Sequence, residues 1–527
     1  MTLNKLFLCV TFAALFGGAA VMAQEKLGKV DFPISCSPEA QAQFNRAVAM
    51  LHSFWFPQAP KTFAAVSETD PGCAMAHWGI AISQRANPLV GPPDAAALKR
   101  GLASLEKAKA IGANTQRERD YINAIELFYK DSDKLDHRTR VLAYEKAMEQ
   151  LYLAYSQDIE AAVFYALALN EAIDYEDKTY ARQLKAAQIL ERVWAKQPEH
   201  PGALHYLIHS YDFPPLASRG LATAKRYVSV APSAPHALHM PSHVFSMLGM
   251  WQESIKSNRE ALGVAKNYVH AMDFMIYAHL QGAQDGEAKR LLEESAALYK
   301  TQAPTAELTP TGGVLAVHTA FAAIPARYAI ERGAWAEAAA LQPRPSTPAA
   351  DAITYFTRAM GAVRSGDVNS ARKDIEQLES LKNILTTAKQ KYWADQVEIQ
   401  RRAAAAWVAH AGGKKDEALK SMRSAAQLED ASEKHVAMEN RLWPMRELLG
   451  EMLLQLNEPG PALKEFEASF KAAPNRFRGY YGAAKAAERL GDHKKARSYH
   501  EKLVALCKQG DGERPELAEA KAFLAKK

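Results

Sequence analysis

Apolar residues in this chain recur at helical spacing. In the segment from Pro201, Leu204, Leu207, Ile208 and Tyr211 fall at i, i+3, i+4 and i+7, the apolar stripe of an amphipathic helix. His205, His209 and Asp212 form a second stripe at i, i+4 and i+7, about 100° further round at 3.6 residues per turn. The arrangement returns 34 residues later, where His239 and His243 of LHMPSHVF stand in the places of His205 and His209 of LHYLIHSYD. Small residues and prolines punctuate the pattern 12 positions apart, as Ala59 with Pro71, Ala186 with Pro198 and Ala462 with Pro474. A glycine also stands five residues before a small residue at Gly249, Gly333, Gly366, Gly413 and Gly491. Such a glycine ends one helix in the left-handed conformation, and the small side chain lets the next helix pack closely. No alternating pattern of useful strand length competes, so the expected fold class is all-α.

A helix–turn–helix period of 34 residues with these anchors resembles the tetratricopeptide repeat family over most of the chain. The resemblance implies an α-solenoid in three parts. Residues 24–166 form N-terminal helical pairs with a repeat-like first unit, and residues 167–302 form four contiguous units. Residues 303–527 form repeat-like units with long loops. Residues 86–93, 303–313 and 430–440 break the period and are expected as long connections, and 96–166 fits the template poorly. The loop 303–313, with Pro304, Pro310, Gly312 and Gly313, is expected near the mouth of the groove, as a lid or binding loop. In the family, positions 2, 5, 9 and 12 of the first helix line the concave face. Carried onto this chain, position 5 reads Glu171, His205, His239 and Asp273, and position 9 reads Tyr175, His209, His243 and Tyr277. Position 2 adds His236 and His270, and position 12 adds Asp212. The strings LHYLIHSYDFPPLA, PHALHMPSHVF and PNRFRGYYGAAKAAERLGD are also similar to a group of exported bacterial repeat proteins. That likeness implies export and the fold but no reaction.

Eight of the 16 histidines lie between His200 and His279, and that concentration turns a fold argument into a chemical one. Imidazoles flanked by carboxylates are the donor set for zinc, copper, iron or manganese. His205, His209, His239 and His243 are therefore the candidate ligands, with Glu171 and Asp273 as further ligands or as general bases. The zinc-protease pattern is absent, because Tyr206 stands where its glutamate would follow His205. The lack of cysteine here disfavours a thiolate site, whereas Met240 and Met247 leave copper open. Pro241 breaks the helix, so His239 and His243 are expected to straddle a helix start. Two other functions compete: a scaffold binding peptides or partner proteins in the groove, and a metal-free enzyme using histidine acid–base chemistry. Asp212, Tyr175 and Tyr277 are the expected hydrogen-bond acceptors behind the ligands. His200 and His279 fall off the groove and are assigned to structure, as are His52, Trp55, His77 and Trp78 to an aromatic core and His435 to a solvated loop.

The remaining features set the compartment. Residues 1–23 read as a secretory signal: Lys5, the apolar LFLCVTFAALF, and small residues before Val21-Met22-Ala23. No later stretch is long and apolar enough to span a bilayer, so the chain is expected in the periplasm or outside the cell, with no stable membrane insertion. The net charge of +6 comes without a basic run, so nucleic acid is not an expected partner; a peptide or small molecule in the groove is. Cys36 and Cys73 are either a disulfide of an oxidising compartment or two buried thiols.

Overall fold

A computed structural model describes residues 25–302, 305 and 308–526. The signal expected over residues 1–23 lies outside the described residues, as do residues 303, 304, 306 and 307 of the long loop. Among the described residues there are helices, turns and extended connections but no strand. The repeat is visible in the starts of successive first helices. Pro201–Tyr211 pairs with Leu221–Val230, and Pro235–His239 continuing as Pro241–Met247 pairs with Trp251–Val264. Val269–Gln281 then pairs with Asp285–Thr301. These starts fall at 201, 235 and 269, as a 34-residue period demands. Proline opens two of them, where its missing N–H costs nothing and its fixed φ suits the first turn. All five turn glycines have positive φ, between 65° and 89°. Gly450 answers to close packing instead: a Cβ there would lie 2.9 Å from the Phe466 ring. The fold is a tetratricopeptide-like α-solenoid.

One unit is out of register. The helix expected from Leu167 instead runs Ile159–Glu171, and residues 172–180 separate it from Ala181–Lys196. Glu171 therefore ends its helix and Tyr175 sits in the connection, so neither occupies the helical position the period assigned to it.

The concave face is covered. Residues 431–444 run into it as a strap: the Glu433 N–H donates to the Tyr175 carbonyl at 2.7 Å, and Lys434 meets Asp212 at 3.2 Å. Arg327 donates to the Asn440 carbonyl at 2.7 Å. His435, expected in solvent, is buried among Tyr175, Tyr392 and Trp393. The described end of the loop 303–313 does reach the mouth, where the Phe56 N–H donates to the Pro310 carbonyl at 3.1 Å. What stays open is a groove of about 1520 Å³, bordered by Phe56, Arg85, Tyr175, Gly313, Tyr392 and Trp393. At the other end, the Trp251 indole donates to the Asn475 carbonyl at 2.7 Å, and Arg514 pairs with Asp285. A Cys36–Cys73 disulfide pins the N-terminal segment, whose Lys29 N–H bonds the Glu199 carbonyl at 2.9 Å. No helix among the described residues is long and apolar enough to cross a membrane.

Candidate metal centre

The histidines converge under this cover, but not as one four-ring group. His205, His209 and His236 bring their ring nitrogens within 4.8 Å of one another, and His239, His243 and His270 do the same. Each member of the second triplet follows its counterpart in the first by 34 residues. The centre is thus one design built twice, each copy using positions 5 and 9 of one unit and position 2 of the next. Helix Pro235–His239 with its continuation Pro241–Met247 serves both, giving His236 to one triplet and His239 and His243 to the other. The break at Pro241 falls where the sequence indicates, yet the Nε2 atoms of His239 and His243 still face each other at 3.1 Å.

The outer nitrogens fix what the inner ones can do. His205 donates its Nδ1–H to the His52 carbonyl at 2.6 Å, an atom that can only accept. His239 donates Nδ1–H to Asn258 Oδ1 at 2.6 Å, and the amide nitrogen of Asn258 is committed to the Ser254 carbonyl at 2.8 Å. His243 donates Nδ1–H to Asp212 at 2.8 Å. With those protons outside, His239 and His243 aim bare Nε2 lone pairs at one another across 3.1 Å with no hydrogen between them. In the first triplet the bare Nε2 of His205 meets Nε2 of His209 and of His236 at 3.1 Å each, and His236 Nδ1 meets the Tyr268 hydroxyl at 2.9 Å, so the lone-pair conflict is fixed at His239–His243. Facing lone pairs repel, and a cation placed among them reverses the sign. His270 adds a buried Nδ1 with no hydrogen-bond partner among the described residues. Burial holds all six rings neutral, the state in which imidazole is a ligand: His205 is pushed down to about 3 and His239 to about 4. His209, His236, His243 and His270 fall well below their ordinary value for the same reason.

The sequence places these rings off the apolar stripe, on an open groove; in the structure they are buried. Phe54 is one cause, with its ring 4.4 Å from His205 and stacked on His236 at 5.6 Å between centroids. Its backbone has φ 49°, a left-handed conformation costing a side-chain-bearing residue roughly 1–2 kcal/mol. His209, still 6% exposed, opens on a pocket shared with Leu89, Ile173, Phe213 and Lys434.

The expected acids do not join. Glu171 pairs with Arg85, and Asp273 pairs with Arg327 at 2.9 Å, so neither carboxylate is a ligand or a free base. Register explains Glu171; for Asp273 the arginine from the next first helix, Val314–Glu331, claims the carboxylate. Asp212 is the acceptor expected behind the ligands, but Tyr175 and Tyr277 are not. Tyr175 lines the pocket, and Tyr277 is bonded by Arg476. His236 and His270, read only as groove residues, are full members of the triplets. The missed signal was in plain view: 205, 209 and 236 recur as 239, 243 and 270.

A third cluster, His52, Glu160 and His200, has the composition of a metal site but not the vacancy. Both histidines donate Nε2–H to Glu160, at 2.8 and 2.9 Å. Their Nδ1 atoms accept from the Tyr206 hydroxyl and the Ala203 N–H. Every ring nitrogen of the cluster is engaged, so this cluster is structural. His279, bonded to Gln284, is structural too.

No family model matches the chain, and no curated protein matches it. Among solved structures, the human IFIT1 dimer with m7Gppp-AAAA is similar at 12% identity, covering 86% of this chain and 90% of that one, with a TM-score of 0.38. Naa15/Naa10 bound to HypK-THB is similar at 13% identity, covering 92% and 72%, with a TM-score of 0.25. A tetratricopeptide repeat protein from Parabacteroides merdae is similar at 12% identity, covering 70% and 98%, with a TM-score of 0.26.

Proposed function

We propose that this is an exported metalloprotein whose two histidine triplets hold a pair of copper ions. The observation that carries the reading is the His239–His243 contact, two bare Nε2 atoms at 3.1 Å with both outer protons committed elsewhere. Rings of different triplets lie as near as rings within one: His209 to His243 and His236 to His239 are each 5.7 Å between centroids. With one nitrogen of each ring directed inward, the two ions would occupy neighbouring positions in one buried basin.

The donor set selects among the four metals the sequence leaves open. Iron and manganese sites ordinarily include carboxylates, and here all six donors are neutral imidazoles. Zinc and copper both accept imidazole, but two buried zinc ions would bring four positive charges with only Asp212 nearby, itself shared with Lys434. Copper stands highest in the affinity order and can enter as a monovalent ion, halving that charge. Three protein ligands per ion leave a position open for chemistry. Acid–base catalysis by free histidines fits less well, since burial keeps the rings from exchanging protons near neutral pH. The larger groove, about 1520 Å³, has room for the small-molecule or peptide partner of the solenoid.

Elemental analysis of untagged protein from the exported fraction is the test. Two copper ions per chain are expected, falling to none when His205 and His239 are both replaced by alanine while the helical circular dichroism persists. Copper content below one per two chains, after incubation with excess metal, would sink the reading.

A further inference from the structure

We propose that residues 433–436 of the strap are a gate over the buried histidines, and that Lys434 is its latch. The inference rests on the metal reading for what passes the gate. The opening itself concerns access to His209 and is measured without metal.

The closed state comes first. The six rings are at most 6% exposed, so a cation reaches none of them unless a covering element moves. His209 is the most exposed of the six, and the partly open pocket it borders is lined also by Leu89, Asp212, Phe213, Lys434 and Val436. That pocket holds about 20 Å³, room for about one water molecule and less than a hydrated ion needs. The ammonium of Lys434 adds a charge barrier, because a cation on this path must pass it where salt screens little.

What moves is set by what holds it. Local opening costs least where few apolar contacts break. The hold on residues 433 and 434 is polar. The Glu433 N–H donates to the Tyr175 carbonyl at 2.7 Å, and its carboxylate accepts from Lys178 at 2.5 Å and from the Tyr180 hydroxyl at 2.6 Å. Lys434 donates to Asp212 at 3.2 Å and to the Met438 carbonyl at 3.4 Å. Water can replace each of these partners. Val436 is only partly buried. His435 leans on Tyr175, Tyr392 and Trp393, and all four border the groove of about 1520 Å³. The segment therefore has open volume to swing into. Its far side is fixed, since Thr319 donates to the Ala437 carbonyl at 3.0 Å and Arg327 to the Asn440 carbonyl at 2.7 Å. Residues 437–440 are thus the hinge. Gates of this kind open on the microsecond-to-millisecond scale.

The experiment treats the full mature chain, free of metal, with diethylpyrocarbonate and follows modification of His209 by mass spectrometry. Lys434→Met should speed that modification at least tenfold. Amide exchange should quicken across residues 433–436 and stay unchanged across 437–440. Equal His209 modification in the parent and the folded variant overturns the gate. If Lys434→Met fails to fold, Tyr180→Phe removes one partner of Glu433 without touching the pocket, and should speed modification at least twofold; no change there overturns the gate equally. Copper(I) supplies the second measurement. Its loading rate should level off as copper concentration rises, because opening becomes limiting, and a rate that climbs in proportion without a ceiling overturns the gate. A chain that binds no copper, yet exposes His209 faster in the variants, sinks the metal reading alone and upholds the gate.

Discussion

Asp212 does two jobs with one oxygen, holding the Nδ1–H of His243 at 2.8 Å and the ammonium of Lys434 at 3.2 Å. Acceptors behind a ligand set its orientation and basicity, and their loss typically costs roughly 10–100-fold in metal affinity. Asp212→Asn should therefore weaken the His239–His243–His270 centre by about that factor and leave the His205–His209–His236 centre tight. A titration would then show one strong and one weak equivalent; two equally weakened sites would refute the assignment. Protonation acts on the same atoms. The folded-state values of the six rings lie below 6.5, so the unfolded chain binds more protons as pH falls. Stability of the metal-free protein should hold above pH 6.5 and decline from there towards about 4 and about 3, where His239 and His205 also protonate. Each ring contributes up to about 1.4 kcal/mol per pH unit in that window. Glu439, pushed up to about 8 by burial, works in the opposite direction, favouring the fold at the acidic side of the interval from 4.5 to 8. Glu171, Asp273, Glu331, Glu429 and Glu447 are raised with Glu439, but the six rings, joined by the lowered His52, His137 and His435, outnumber them, so the melting temperature should drop on acidification from pH 6.5 to 5. A flat profile would mean that the rings are not held neutral.

Helices and their connections are where the sequence was read well and where it misled. The 34-residue period found the first helices at Pro201, Pro235 and Val269, because apolar stripes and proline starts are local signals. It failed at Glu171 and Tyr175, where nine residues between two helices shift the register without disturbing the hydrophobic spacing. It paired His205 with His209 by helical geometry but could not see that position 2 of the next unit approaches position 5 of the last. That contact joins non-equivalent positions on neighbouring helices, and periodicity compares only equivalent ones. The strap 431–444 was legible as an interruption and nothing more, since its partners Tyr175 and Asp212 lie more than 200 positions away. Arg327 anchors that strap: it is fully buried, bonded to Asp273 and the Asn440 carbonyl, with Glu439 at 3.9 Å. Arg327→Met strands a buried carboxylate, at a cost of about 3–5 kcal/mol. Amide exchange across residues 431–444 should then quicken selectively; unchanged exchange there would show that the strap is held by Lys434 and Glu433 alone.

At the scale of the whole molecule, the solenoid sets the spacing between the two centres. Equivalent residues fall at equal steps along a stack of units, because each unit contacts mainly its neighbours. A donor set spanning two consecutive units therefore recurs wherever the same three histidines recur. Closure of the concave face, by the strap, the Phe56–Pro310 contact and the docking of Asn475 on Trp251, belongs to the particular lengths of this chain and could not be read from the period. The step between centres belongs to the repeat itself. Residues 235–268 carry His236, His239 and His243, which is to say the end of one triplet and the beginning of the next. Splicing in a second copy of that unit after residue 268 would complete a third triplet between the existing two, turning the pair into a row. The histidine array is thus modular, extensible one triplet per duplication, and its length is a matter of copy number rather than of inventing a new site.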